Sequence, residues 1–172
     1  MKTNLKWFLL FTILTITACS SIAVNYDYDT KADLSKYKTY NWMPSDNDAG
    51  VTDLTTRRIK AAVDRELKAK AYEMTENNPD FLVATHVKTK EKLRVTDWGY
   101  TGGFHYWSIG GGVDVRQTEE GSIIIDLVDA KSKNLFWRGM ATSTVRPNLT
   151  AEKQEKLINR AVERVFEKAP QI

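Results

Sequence analysis

The chain has 172 residues, 42% of them hydrophobic, which suits a single globular domain with an apolar core. Its 25 basic and 22 acidic residues give a formal net charge of +3, but Lys2 and Lys6 lie in a segment that we expect to be removed. The mature chain then has 23 basic and 22 acidic residues. This balance argues against a nucleic-acid-binding protein, which needs a concentrated basic surface.

Residues 1–18 have the pattern of a signal peptide, in which a basic start is followed by an apolar run from Trp7 to Ala18. That run has 12 residues, whereas a transmembrane helix needs about 20. The sequence Ile16-Thr17-Ala18-Cys19 resembles the lipobox of bacterial lipoproteins, in which the cysteine is lipidated and becomes the new N-terminus. Cys19 is the only cysteine and cannot form an internal disulfide. We therefore predict a lipid anchor on Cys19.

Three segments follow from this start: a signal peptide at 1–18, a lipidated N-terminus with a short tether at 19–22, and a periplasmic domain at 23–172. Two or more acyl chains, such as palmitate, would hold the domain firmly on a membrane. Ser20 stands where an aspartate tends to hold enterobacterial lipoproteins at the inner membrane. By this resemblance, we predict a protein anchored in the outer membrane of a Gram-negative cell, on the periplasmic face.

The first half of the domain is predicted to contain three strands and one helix. Apolar and polar residues alternate at 24–28, which is the period of a half-buried strand, and a second short strand follows at 38–43. Thr52 or Asp53 caps a helix that runs to about Lys70 and has an apolar stripe on one face. The segment at 81–95 has the pattern of a further strand.

The segment at 97–114 combines six glycines with five aromatic residues. The aromatic residues are Trp98, Tyr100, Phe104, Tyr106 and Trp107. No Lys-Ser or Lys-Thr pair follows the glycines, so the segment does not match a phosphate-binding loop. Two interpretations stay open. The segment is either a hairpin tip whose aromatic side chains fold back over the sheet, or a contact surface for a partner, a glycan or a lipid headgroup layer.

Residues 121–145 are predicted to form the central hairpin of the sheet. Nearly every side chain at 123–128 is apolar, as expected for a strand that is covered on both faces. The polar residues that follow supply the turn. The register is predicted by pairing Asp129 with Leu135 across an antiparallel ladder.

This register places Leu127 opposite Trp137 and Asp126 opposite Arg138. Asp126 is the one acid inside the apolar run, and an unpaired buried carboxylate would be costly. We therefore predict a structural ion pair between Asp126 and Arg138. Asp126 is also the best candidate acid for a hydrolase, but a strand covered on both faces is a poor place to meet a substrate.

A second helix is predicted from Thr150 to about Lys168, with an apolar stripe suited to packing on a sheet. Together the elements predict an α+β fold, a single domain in which a largely antiparallel sheet of about five to seven strands has two helices packed on one face. The only histidines are His86 and His105, and neither shares a metal-ligand motif with another histidine or a cysteine. We predict no metal site and no cofactor.

Five segments of the mature chain match a known pattern. They are Tyr26-Asp27-Tyr28-Asp29, Tyr37-Lys38-Thr39-Tyr40-Asn41-Trp42, NPDFLV from Asn78, GSIIIDLVDAKSKNLFWRG from Gly121 and NRAVERVFEKAP from Asn159. They resemble the domain of unknown function 4136 (DUF4136) family, lipoproteins of Gram-negative bacteria, and the segment from Gly121 is the most specific. The resemblance implies an envelope lipoprotein domain, with no established activity, substrate or catalytic residue.

The sequence favours a non-enzymatic, lipid-anchored envelope protein that binds another envelope component, whether a protein or another molecule, through residues 97–114 or a sheet edge. The alternative is a carrier or sensor of a small apolar or glycan ligand, held by the five aromatic residues. A hydrolase that relies on carboxylates is the third and least favoured hypothesis. No nucleic-acid partner is predicted, and the oligomeric state stays open.

Overall fold

The computed structural model describes residues 22–44, 51–96, 114–145 and 149–169. These residues form six strands, two α-helices and one short 3-10 helix, Leu34–Lys36. The strands are β1 (Ala23–Tyr28), β2 (Thr39–Trp42), β3 (Glu73–Met74), β4 (Phe81–Thr96), β5 (Asp114–Asp129) and β6 (Leu135–Val145), and the helices are α1 (Asp53–Ala69) and α2 (Ala151–Glu167). No helix among the described residues is long and apolar enough to cross a membrane.

The described strands form one sheet in the order β1-β6-β5-β4-β2-β3. Neighbours from β1 to β4 pair antiparallel, whereas β2 is parallel to both β4 and β3. The predicted single α+β domain with two helices is confirmed, but the sheet is mixed and not antiparallel throughout. β2 and β4 are parallel because α1 connects them. The helix carries the chain back to the end of the sheet where β2 began, so that β4 runs in the same direction.

Both helices have threonine caps: Thr52, one of the two candidates that the sequence offers for α1, and the predicted Thr150 for α2. The Thr52 side chain accepts a hydrogen bond from the backbone N–H of Thr55, and the Thr150 side chain accepts one from Lys153. The apolar stripe of each helix is buried and joins the same core as the sheet residues that face it. We call this side of the sheet the helix face, and the other side the open face.

The β5–β6 hairpin has the predicted register over its central part. Leu127 lies opposite Trp137, and Asp126 lies opposite Arg138. The predicted pairing of Asp129 with Leu135 is wrong, because the register shifts after Leu127 and Leu135 lies opposite the preceding residue, Val128. The side chain of Asp129 accepts hydrogen bonds from backbone N–H groups of the turn, which tightens the turn and displaces the ladder by one position.

Aromatic residues fill the core at the end of the sheet where the helices finish. Phe81 is fully buried at the start of β4. The ring centroids of Tyr37, Tyr40, Tyr72 and Phe136 lie 5.8, 5.8, 5.4 and 5.9 Å from its own. These large side chains leave little free space at this end. The opposite end of the core, where the helices begin, has smaller side chains.

Candidate functional site

The ion pair between Asp126 and Arg138 lies on the open face of the sheet. Arg138 Nε donates to Asp126 Oδ1, and Arg138 Nη2 donates to Asp126 Oδ2, both at 2.6 Å. Asp126 is only 5% exposed, whereas the Arg138 side chain is 52% exposed. The hydrogen bonds to Asp126, and the negative charge of that residue, raise the pKa of Arg138 above its ordinary value. This bidentate contact joins the neighbouring strands β5 and β6.

Two further carboxylates, Asp80 and Asp129, accept hydrogen bonds from backbone N–H groups. Asp129 accepts hydrogen bonds from turn N–H groups, and the one from Ser132 is the largest cause of a pKa far below the ordinary value of aspartate. Asp80 accepts from the backbone N–H groups of Lys38 and Thr39, each at 2.9 Å, and these bonds lower its pKa as well. Carboxylates with such low pKa values stay ionised at neutral pH, so they cannot serve as general acids.

A cleft of about 490 Å³ lies between the first halves of the two helices and the helix face of the sheet. Apolar side chains make up most of its lining. The residues that contribute from the helices and their leading segments are Val51, Thr52, Leu54, Thr55, Arg58, Ile59, Leu149, Ala151, Gln154, Leu157, Ile158 and Ala161, and those from the sheet are Val87, Thr89, Glu119, Gly121, Ser122, Ile123, Ala141, Ser143 and Val145.

The cleft exists because the helix face carries small side chains at this end. Gly121, Ala141 and Ser143 occupy positions where larger residues would fill the space above the sheet. At Gly121 itself the Val145 side chain lies beside the backbone, because a Cβ atom there would lie 2.7 Å from Cγ2 of Val145. The residues therefore leave an apolar volume that the core does not fill.

The cleft is closed on the inside and open at the end where the helices begin. Its inner part is lined by buried residues, among them Ile59 and Ile158, whereas Leu54 at the outer end is 55% exposed. Arg58 Nη1 donates to Gln154 Oε1 at 2.7 Å and so links α1 to α2 across the cleft. Eight of the lining residues have polar or charged side chains, and a mainly apolar lining with some polar groups is typical of ligand-binding sites.

A family model described as "Domain of unknown function (DUF4136)" matches residues 24–171. The chain belongs to the DUF4136 family. The matched range runs from β1 to α2 and includes both walls of the cleft, so the cleft is part of the DUF4136 domain. No curated protein matches the sequence.

Two solved structures are similar to this DUF4136 domain. One is a PDZ domain protein from Parabacteroides distasonis, with a TM-score of 0.59 and 12% sequence identity. The match covers 87% of this chain and 36% of the PDZ domain protein, so this chain spans about a third of that protein's length. A PelC dodecamer from Paraburkholderia phytofirmans has a TM-score of 0.49 and 12% identity over 85% of this chain and 95% of its own. At this identity the PDZ domain protein shows a shared fold and nothing more.

The residues predicted for function lie in different parts of the DUF4136 chain. Cys19 and the five aromatic residues at 98–107 are outside the described residues, so the lipid anchor and the aromatic contact surface stay predictions. Asp126 and Arg138 are brought together as the register requires. Within the described ranges, no group of three or more His, Cys, Asp or Glu side chains is placed to hold a metal ion.

Sequence reasoning missed the cleft. The signal that was available is the alternation of helix-face residues on the hairpin, in which Gly121 precedes Ile123, Ile125 and Leu127, and Ala141 and Ser143 come after Trp137 and Gly139. Small residues at one end of an otherwise bulky buried face indicate a gap there, provided that the helices do not move in to close it.

Proposed function

We propose that this protein is a non-enzymatic, lipid-anchored component of the cell envelope that binds an apolar ligand in the cleft between α1, α2 and the sheet. The observation that carries the proposal is the cleft itself, whose volume of about 490 Å³ falls within the range of about 300–1,000 Å³ typical of small-molecule sites. Its apolar lining favours a hydrocarbon ligand over a glycan. Asp80, Asp126 and Asp129 accept hydrogen bonds from groups within the fold, which favours a structural role for these carboxylates over a catalytic one.

The membrane anchor in this proposal is the lipid on Cys19, which places the domain on the periplasmic face of the outer membrane. The lipobox-like sequence at 16–19, which ends the signal-like segment, supports the anchor. Ser20 supports the outer membrane, by its resemblance to the sorting of enterobacterial lipoproteins.

Replacing Cys19 with alanine should move the mature protein from the membrane fraction to the soluble periplasmic fraction. The mature chain would be produced behind a signal peptide that is cleaved without lipidation, so that the acyl chains are the one feature removed. Fractionation and intact-mass measurement report the location and the lipid. Ser20→Ala in the native precursor is the matched control and should stay in the membrane fraction. A Cys19→Ala protein that stays with the membrane would contradict the anchor.

Ser143→Leu should weaken the binding of a fluorescent fatty acid, such as cis-parinaric acid, by about tenfold or more, because leucine fills the space of two or three ligand methylenes and each buried methylene contributes about 0.8 kcal/mol. Ser143 lines the cleft from β6. The measurement is a fluorescence titration of the unlipidated mature chain with Cys19→Ala.

The matched control is Thr144→Leu, which places the same side chain on the same strand but on the open face. This variant should bind the fatty acid as the parent does. If the parent does not bind the fatty acid, or if both variants bind it equally, the cleft is not the ligand site and the proposed function is wrong.

A further inference from the structure

The chain enters the fold beside the cleft. Ala23 pairs with Thr142, so the antiparallel ladder brings the preceding residue, Ile22, to the level of Ser143 in the cleft lining. Ile22 is 6% exposed, and its carbonyl oxygen accepts a hydrogen bond from Arg164 Nη1 at 3.3 Å. The first residue that the structure describes is therefore fixed between β6 and α2, level with Ser143 of the cleft lining.

Cys19 precedes Ile22 by three residues, and three residues of chain span at most about 10 Å. A lipid attached to Cys19 is thus tethered within that reach of Ile22. A tether of this length gives a local concentration in the millimolar range, far above that of a free fatty acid. Geometry and concentration both favour an acyl chain of this protein over one that arrives from solution.

The size of the cleft suits one acyl chain. A methylene group is about as large as a water molecule, whose share of liquid volume is about 30 Å³. The volume of about 490 Å³ is then that of roughly sixteen methylene groups, which is close to one acyl chain of the length found in membrane lipids. The buried inner end, near Ile59 and Ile158, provides an apolar environment for the end of the chain.

We propose that one acyl chain of the lipid on Cys19 folds back into the cleft, while the remaining acyl chain or chains stay in the bilayer. The inference rests on the proposed function, because it names the ligand of the same cleft. Since each chain in the bilayer strengthens the anchor, the retracted chain weakens membrane attachment until another molecule displaces it from the cleft. The cleft thus acts as a control on how firmly the protein is anchored.

The test uses a thiol placed inside the cleft by Ser143→Cys and a matched thiol outside it by Thr144→Cys. Each variant is prepared in two forms: lipidated, as checked by intact mass, and unlipidated, with Cys19→Ala. All four proteins are held in the same detergent. The rate of modification by a charged methanethiosulfonate is measured. In the Ser143→Cys protein, lipidation should slow the reaction by about tenfold or more, because the chain occupies the cleft for most of the time. In the Thr144→Cys protein, lipidation should leave the rate unchanged.

Equal rates for lipidated and unlipidated Ser143→Cys protein would overturn the inference. Equal slowing of both variants would also overturn it, because that result indicates screening by detergent. A measured mass without lipid would overturn it as well. Adding palmitate to unlipidated Ser143→Cys protein separates this inference from the proposed function. Protection by palmitate without protection by lipidation would keep the proposed ligand site and assign its ligand to another molecule. Protection by neither would contradict both.

Discussion

Replacing Phe81 with alanine should lower the free energy of unfolding by about 3–5 kcal/mol. Phe81 is fully buried, and the rings of Tyr37, Tyr40, Tyr72 and Phe136 surround it. The variant loses the transfer energy of the ring and gains a cavity that the four surrounding rings, which come from three segments of the chain, cannot close. Because folded domains are stable by only about 5–15 kcal/mol, this single change removes a large fraction of the total.

Urea denaturation of the unlipidated mature chain, followed by circular dichroism, measures this loss. The control is Leu82→Ala, which removes a side chain of similar character from the next position of β4, on the half-buried open face. Its cost should be about 1 kcal/mol. If Phe81→Ala costs no more than Leu82→Ala, the aromatic cluster is not what holds this end of the core together.

The features that were predicted correctly depend on short-range chemistry. Each helix begins at a threonine cap and follows an apolar stripe of helical period, and both signals lie within a few residues of each other in the sequence. The central register of the hairpin was predicted from a pairing of Asp129 with Leu135 that the structure does not contain, and it was supported by the basic partner, Arg138, that it gives to Asp126.

The parallel direction of β2 was not predictable, because it depends on long-range structure. The alternation of buried and exposed residues in a short strand is the same in parallel and antiparallel pairs. The direction is decided by α1, which carries the chain from β2 back to the end of the sheet where β4 begins. The register shift after Leu127 was also missed, because it depends on hydrogen bonds that the Asp129 side chain makes only once the turn is formed.

The cleft was not predictable because its size is set by the position of the helices. Small residues at Gly121, Ala141 and Ser143 leave a gap only if α1 and α2 keep their distance from this end of the sheet. At Gly139, a Cβ atom would collide with Val165 of α2, so the second half of that helix packs directly on the sheet. Such spacing is a property of the packed core, and the sequence pattern of each element does not contain it.

Removing Arg138 should destabilise the protein more than removing its partner. In Arg138→Ala, the Asp126 carboxylate stays buried and loses both hydrogen bonds, and His86, whose Nε2 lies 4.0 Å from Oδ2, is too distant to replace them. The expected cost is about 3 kcal/mol, as for other buried charges left without a partner. In Asp126→Ala, the Arg138 side chain is already half exposed and regains water, so the cost should be about 1 kcal/mol.

The double variant Asp126→Ala/Arg138→Ala decides between this explanation and a simple loss of packing. If the unpaired carboxylate causes the instability of Arg138→Ala, removing that carboxylate as well should restore stability to near the level of Asp126→Ala. Urea denaturation of the three variants and the parent provides the complete cycle. A double variant as unstable as the sum of the two single variants would mean that the pair contributes through packing of the two strands and not through charge. The recovery in the double variant is expected because the burial of Asp126, and not the strength of the ion pair alone, makes Arg138 necessary.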